Sequence, residues 1–151
     1  MKKFTVLFVL VGIGSLVYGY NVWADEKEKE LARVPLENYL KGHATGNPEF
    51  MRKAFHTEGK LIFIREGKYA TRTFEEYIAA MKDGKPAPDE AQRKRWIESV
   101  EVSGNAGVGK IILDYPTVKF VDYMTLLKID GEWKIVNKSF SAEPKAQTKT
   151  E

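Results

Sequence analysis

The sequence predicts an α+β domain in which helices come first along the chain and pack on one face of an antiparallel sheet. Two observations support this prediction. Apolar side chains recur at helical spacing in the segments between residues 35 and 81. From residue 96 onward, four runs of strand length follow one another, separated by short turn sequences. Helices followed by a series of strands are typical of the α+β class.

Three helices are expected from their start signals. Pro35 suits the first turn of the first helix, because proline lacks an N–H that would be unpaired there. Asn47 and Pro48 form an N-cap and a first helical position for the second helix. Thr73 and Glu76 have the spacing of a capping box, which places the start of the third helix at Thr73.

The strands are predicted from β-rich runs and from the turns between them. Residues 61–64 form a short run that ends at the turn sequence 66–68. The later runs cover residues 96–103, 106–115, 118–129 and 132–140. Asp130-Gly131 between the last two is a strong hairpin signal. Helices therefore precede a four-stranded meander.

Alternation along the last strand predicts which side chains face the helices. Side chains on a strand point to opposite faces in turn, and Lys134 and Lys138 mark one face as the wetter one. The other face would carry Trp133, Ile135, Asn137 and Ser139. A three-residue turn over 129–131 would pair Thr125 with Ile135 and Tyr123 with Asn137. A two-residue turn would shift the register by one and break these pairs.

The covered face is expected to be apolar with a few polar groups, which is typical of a ligand pocket. Gly107 and Gly109 would leave room for a molecule close to the sheet. The candidate ligand-binding residues are Tyr39, His56, Trp96, Tyr115, Tyr123, Thr125 and Asn137. An ordinary core, in which the tyrosine hydroxyls bond to backbone groups, explains the same pattern. For Trp96 in particular, a core position is the competing interpretation.

The first 24 residues have the order of a secretory signal peptide. Lys2 and Lys3 precede an uncharged stretch over residues 4–24, and a charged segment begins at Asp25. We expect cleavage after Ala24 and a periplasmic or secreted protein. An uncleaved anchor is the alternative, since a membrane span needs about 20 apolar residues. The mature chain would then consist of a frayed lead-in (25–33), the domain (34–140) and a disordered tail (141–151).

Composition excludes several classes of function. The chain has no cysteine, which removes disulfides, thiolate catalysis and cysteine-ligated zinc. The formal net charge of +3 falls to +1 without Lys2 and Lys3, so a nucleic-acid partner is not expected. The two histidines have no carboxylates at ligand spacing. We therefore expect neither a metal nor a cofactor.

Few residues suggest catalysis. His56, near a helix end, could act as an acid or base, or it could simply cap its helix. His43 is expected at the surface. Asp114 and Asp122 should face away from the helices and pair with lysines on the outer face of the sheet. The sequence contains no nucleophile elbow and no phosphate-binding loop.

Several blocks resemble the nuclear transport factor 2-like (NTF2-like) superfamily. Gly46-Asn47-Pro48 and Ala54-Phe55-His56 fit its helix pattern, while the segments 113–116, 120–124 and 126–138 resemble the branch called putative lumazine-binding proteins. The resemblance covers residues 34–140. It implies a cone-shaped α+β fold, a curved sheet wrapping three helices around a cavity, and often a dimer formed through the sheet.

Three functions are consistent with these observations. The first is binding of a small apolar or aromatic molecule without catalysis. The second is an isomerase or dehydratase that uses His56 with a tyrosine. The third is a dimeric interaction module whose cavity is filled by its own side chains. A dimer could form through the sheet face between Lys128 and Lys138, with Phe140. An exposed apolar strip of Met124, Leu126, Val136 and Phe140 would have to be covered.

Overall fold

The computed structural model describes residues 5–81 and 84–146, with side chains from residue 25 onward. Its three helices are α1 (Thr5–Thr45), α2 (Pro48–Ala54) and α3 (Phe74–Ala79). The six strands are β1 (Phe55–Arg65), β2 (Lys68–Thr73), β3 (Lys94–Ser103), β4 (Ala106–Asp114), β5 (Val118–Ile129) and β6 (Glu132–Pro144). A short 3₁₀ turn (Glu90–Gln92) precedes β3. The α+β class and the four-stranded meander are confirmed.

All six strands form one sheet, in the order β2-β1-β6-β5-β4-β3. Strands β3 to β6 pair with their sequence neighbours in antiparallel fashion, as does β1 with β2. Strand β1 lies parallel to β6. This pairing brings the β1–β2 hairpin beside the last strand, so side chains from both halves of the chain meet on the face that carries the helices.

The first helix extends far beyond its predicted start. It runs without interruption over Thr5–Thr45, so Pro35 lies inside it rather than in its first turn, and residues 25–31 are helical rather than frayed. An interior proline loses a backbone hydrogen bond and costs about 3 kcal/mol or more. Here tertiary contacts offset that cost, since Pro35 is fully buried and Glu28 accepts hydrogen bonds from Lys128 and Trp133.

The other two helices begin as predicted. The Asn47 side chain accepts a hydrogen bond from the backbone N–H of Glu49, with Pro48 in the first helical turn. Thr73 and Glu76 form a complete capping box at the start of α3. Helix α2 ends at Ala54, earlier than expected, and strand β1 begins at Phe55. His56 is therefore a strand residue and not a helix end.

The β5–β6 hairpin differs from the predicted register. Asp130 and Gly131 form a two-residue turn, both with positive φ, and Ile129 pairs with Glu132. The predicted pairs of Thr125 with Ile135 and Tyr123 with Asn137 are wrong, because a three-residue turn is absent. Leu126 pairs with Ile135 instead, and Thr125 pairs with Asn137.

A bulge at Val136 then changes which face the rest of β6 presents. The register skips Val136 between the Leu126–Ile135 and Thr125–Asn137 pairs. An extra residue in one strand reverses the alternation beyond it. Trp133 and Ile135 face the helices as predicted, but beyond the bulge Lys138 is buried and Asn137 is not. The prediction of an exposed apolar strip on the outer face is also wrong, since Met124 and Leu126 are in the core.

The C-terminal strand is longer than predicted. Strand β6 continues to Pro144, where it pairs with Val118, and Ser141 pairs with Val121. The polar composition after Phe140 predicted disorder, yet pairing with the start of β5 supplies backbone hydrogen bonds that composition does not reveal. The part of the predicted tail after residue 146 lies outside the described residues.

The core lies between α1 and the sheet. Ile111, Leu113 and Tyr115 of β4 and its continuation are buried on the predicted face. Gly109 does leave room beside the sheet, but α1 occupies it, because a Cβ there would lie 2.6 Å from Leu36 Cδ1. Within the part of the chain that the structure describes, no helix is long and apolar enough to cross a membrane.

Candidate functional site

A cavity of about 160 Å³ lies between the β1–β2 hairpin, β6 and the ends of α1 and α3. Most of its wall is apolar, and its polar groups are cationic or neutral. It is lined by His43, Leu61, Phe63, Arg65, Arg72, Tyr77, Leu113, Phe120, Lys138 and Phe140. A cavity of about 150 Å³ is large enough to bind benzene. The space therefore suits a molecule with one ring.

A buried ion pair lies at one wall of the cavity. Lys138 Nζ donates hydrogen bonds to Tyr39 Oη, at 2.7 Å, and to Asp122 Oδ2, at 3.1 Å. Tyr39 Oη donates to the same carboxylate oxygen at 2.6 Å. Tyr39 and Asp122 are completely buried and Lys138 is 5% exposed. Among the described residues, Asp122 Oδ1 has no hydrogen-bond partner. Because Lys138 also lines the cavity, the ion pair is part of its wall.

His43 joins this ion pair to two further tyrosines. Its Nε2 lies 2.9 Å from Tyr77 Oη and its Nδ1 lies 3.2 Å from Tyr115 Oη. A neutral imidazole has one donor and one acceptor nitrogen, so one hydroxyl accepts a hydrogen bond from the ring and the other donates one. The ring also packs edge-on against Tyr39 at 4.6 Å.

Burial favours the uncharged form of each of these groups. It lowers the pKa of His43 well below its usual value, and the positive charges of Lys138, Arg95 and Arg93 lower it further. Burial also lowers the pKa of Lys138, although the Asp122 carboxylate opposes the effect. The pKa of Tyr39 is raised well above its usual value by burial and then by Asp122. At neutral pH, His43 is therefore uncharged and Tyr39 is a hydrogen-bond donor.

The lowered pKa of His43 predicts a pH-dependent stability. Its folded-state pKa lies below the unfolded value of about 6.5, so the unfolded chain binds the proton more readily as the pH falls. The free energy of unfolding should decrease by up to about 1.4 kcal/mol for each pH unit below that value, until the folded-state pKa is reached. Urea unfolding of wild type and His43→Gln between neutral and mildly acidic pH measures this effect.

His43→Gln should remove the part of the decrease in the free energy of unfolding that protonation of His43 causes as the pH falls. His56→Gln is the matched control, because it removes the other histidine, which lies outside the cavity wall. An identical pH dependence in wild type and His43→Gln would contradict the assignment.

The structure brings only some of the predicted binding residues together. Tyr39 and Tyr115 are buried beside His43. Tyr123 and Thr125 are exposed on the outer face, and the prediction that they face the helices is wrong. Asn137 lies opposite Thr125 on that same face. The two-residue turn and the Val136 bulge account for these differences.

His56 and Trp96 also lie away from the cavity wall. His56 lies in β1, and its Nδ1 accepts a hydrogen bond from the backbone N–H of Glu58. Trp96 is 40% exposed, and its indole N–H donates to Glu98 at 2.6 Å. Neither side chain is in the core or at the cavity.

Sequence reasoning missed the charged group of the site. The sequence pattern predicts that Lys138 marks the wet face, that His43 lies at the surface and that Asp122 faces outward. All three lie at or beside the cavity. Asp114, by contrast, is partly exposed and pairs with Lys145. The one signal for the inward position of Asp122 was its alternation with Met124 and Leu126, two apolar residues on one face of β5.

The described residues offer no metal centre. Among residues 25–81 and 84–146, no three His, Asp or Glu side chains are grouped so that they could hold a metal ion. Lysine, histidine and tyrosine side chains in an apolar cavity can instead donate hydrogen bonds to a bound molecule or hold a negative charge.

The arrangement of helices on a curved sheet around this cavity is that of NTF2-like proteins. An NTF2-like protein of unknown function from Shewanella baltica OS155 is similar, with a TM-score of 0.70 and 22% identity, covering 79% of this chain and 96% of that one. Another from Silicibacter pomeroyi DSS-3 has a TM-score of 0.67 and 21% identity, covering 78% and 98%.

Within this fold, the chain belongs to the family described as "Putative lumazine-binding", whose model matches residues 27–141. The NTF2-like fold together with this family points to small-molecule binding. Among curated proteins, Aldolase FrzH from Cladobotryum sp is a distant relative. It is 19% identical over 109 residues, which cover 71% of this chain and 85% of that protein.

Proposed function

We propose that this protein binds a small apolar or single-ring molecule in the cavity beside Lys138. The main support is an apolar cavity of about 160 Å³ with hydrogen-bonding groups at its wall. Leu61, Phe63 and Leu113 would surround the apolar part of the ligand, while Tyr77 and His43 would orient it. A two-ring compound would extend through the mouth, since the cavity is close in size to those that hold one ring.

Native mass spectrometry of protein recovered from its own host tests binding directly. We expect a bound small molecule that dissociates on activation. Leu113→Phe should abolish the bound mass, because the larger side chain fills space at the cavity wall. Ile64→Phe is the matched control, since Ile64 is 66% exposed and lies outside the wall. Absence of any bound mass, together with no response to a panel of single-ring compounds, would reject the proposal.

A second candidate function is catalysis through Lys138. The relative named an aldolase and the buried position of Lys138 favour this candidate. In its neutral form, Nζ would attack the carbonyl carbon of a bound aldehyde or ketone. Loss of water, which carries away the carbonyl oxygen, would leave a C=N bond to the lysine.

Reductive trapping with benzaldehyde and cyanoborohydride tests this step. Modification concentrated on Lys138 in a peptide map would support it. Labelling spread over the surface lysines, with Lys138 unmodified, would count against it.

We also propose a homodimer formed through the outer face of the sheet. Trp96, Val108, Tyr123 and Leu127, here called the outer patch, are between 37% and 54% exposed. They lie on one face, since β3, β4 and β5 are neighbours and Trp96 pairs with Ile112, Lys110 with Tyr123, and Ala106 with Leu127. Exposed apolar groups of this kind mark interaction surfaces. A two-fold axis would bury the same patch on both copies.

Tyr123→Glu should convert the dimer to a monomer in analytical ultracentrifugation, because it places a charge at the centre of the buried patch. Tyr69→Glu is the control, since Tyr69 is 70% exposed on β2 at the far edge of the sheet. A wild-type monomer, or a Tyr123→Glu dimer, would refute the dimer.

Export to the periplasm or secretion is proposed from the charge pattern of residues 1–24. Cleavage after Ala24 would leave the part of α1 that carries Glu28 and its contacts with the sheet. N-terminal sequencing of the protein from fractionated cells tests this. A new N-terminus at Asp25 in the exported fraction is expected, whereas intact protein in the membrane fraction would favour an anchor.

A further inference from the structure

The charged side chains that line the cavity are all cationic. Three of its lining residues, Arg65, Arg72 and Lys138, are cationic, and no lining residue is an Asp or a Glu. Arg65 and Arg72 come from neighbouring strands of the β1–β2 hairpin. On that face of the sheet, Arg72 lies opposite Leu61, and Arg65 lies opposite Lys68. The hairpin therefore supplies positive charge to an otherwise apolar opening.

The three cations differ in whether a carboxylate forms a salt bridge with them. Lys138 is paired with Asp122 in the interior. Within the described residues, neither Arg65 nor Arg72 takes part in a salt bridge, although Arg65 lies over the Phe63 ring at 5.3 Å. Two hydrogen bonds from Thr73 to the Glu76 carboxylate are the main cause of the lowered pKa of Glu76, and the positive charge of Arg72 lowers it a little further.

We infer that the ligand is a small organic anion, with its ring or alkyl part inside the cavity and its acidic group at the mouth against Arg65 and Arg72. A carboxylate suits this position, since guanidinium groups bind carboxylates through paired, charge-assisted hydrogen bonds. Phosphate and sulfonate groups share that chemistry. The inference rests on the proposed function, because it specifies the ligand class for the same cavity.

The exposure of the two arginines sets the orientation of the ligand. Arg65 is exposed and Arg72 partly exposed, so an anion beside them stays partly hydrated. A carboxylate placed deep beside Lys138 would lose that hydration and would compete with Asp122 for the same ammonium group. Burial of an ion is costly unless close pairing with an opposite charge and further hydrogen bonds offset the lost hydration. The acidic group therefore points outward.

Calorimetric titration with benzoate and benzamide tests the inference, because the two compounds share a shape and differ in charge. At low ionic strength, we expect benzoate to bind about tenfold more tightly than benzamide. Added salt should weaken the binding of benzoate and leave that of benzamide unchanged.

The Arg65→Gln/Arg72→Gln double variant should lower the affinity for benzoate about tenfold and leave that for benzamide within about twofold. Arg52→Gln is the matched control, since it removes one positive charge from an exposed pair with Glu49 on α2. It should change neither affinity.

The outcomes separate the two proposals. Equal affinities of the wild-type protein for benzoate and benzamide would overturn the anion inference and leave small-molecule binding intact. An unchanged benzoate affinity in the double variant would overturn the placement at the mouth. Failure of both compounds to bind, together with an empty protein in the native mass spectrum, would reject the cavity as a binding site and the inference with it.

Discussion

Lys138→Met is expected to lower the free energy of unfolding by about 3–5 kcal/mol. The substitution keeps much of the apolar stem but removes the ammonium group that pairs with Asp122. That carboxylate is completely buried and would keep only Tyr39 as a hydrogen-bond donor. An unpaired buried charge is among the most destabilising changes in a protein. Urea unfolding of the single variant measures the loss.

The double variant Asp122→Leu/Lys138→Met shows whether the pair or the loss of one partner is responsible. Replacing both charges with apolar groups is often nearly neutral, so the double variant should be more stable than Lys138→Met alone. Lys134→Met is the matched control, because Lys134 pairs with an exposed Glu132, and it should change the stability by less than about 0.5 kcal/mol. A similarly small effect of Lys138→Met would mean that the Asp122–Lys138 pair is open to water.

Phe55→Ala should lower the free energy of unfolding by about 3–5 kcal/mol, the usual cost of deleting a buried phenylalanine ring. Phe55 is 2% exposed and joins α2 to β1. Its ring stacks on Phe74 of α3 at 4.6 Å and packs against Tyr39 of α1. The loss of one ring would therefore loosen the contacts of all three helices with the sheet.

Chemical denaturation measures this change, and Phe55→Leu should show an intermediate loss because it leaves a smaller cavity. Tyr69→Ala removes an aromatic ring that is 70% exposed and should be within about 0.5 kcal/mol of wild type. If Phe55→Ala and Tyr69→Ala had equal effects, the three helices would not depend on this contact.

Local signals predicted much of the fold, because their physics acts over a few residues. The caps at Asn47 and Thr73 follow from side-chain to backbone hydrogen bonds within one turn. The four-stranded meander follows from β-rich runs and turn residues. Family resemblance added the cone-shaped arrangement, and both the family and the fold are confirmed.

The candidate site was predicted poorly, because it depends on register. A two-residue turn at Asp130-Gly131 and one extra residue at Val136 decide which side chains of β5 and β6 face inward. Both are small local choices with large consequences, since a shift of one residue moves a side chain to the other face. Tyr123 thus lies outside, and Lys138 lies inside with its partner Asp122.

Short-range patterns predicted two of the three helix starts, the turns of the hairpins, the four-stranded meander and the absence of cysteine chemistry, but not strand β2. Tertiary structure alone decided the continuity of α1 through Pro35, the pairing of Ser141 with Val121, and the cluster of His43, Tyr39, Asp122 and Lys138. Local elements reflect energies between near neighbours in the chain. The hydrogen bond between Tyr39 and Lys138 joins residues 99 positions apart, and such contacts exist only once the sheet and α1 have packed together.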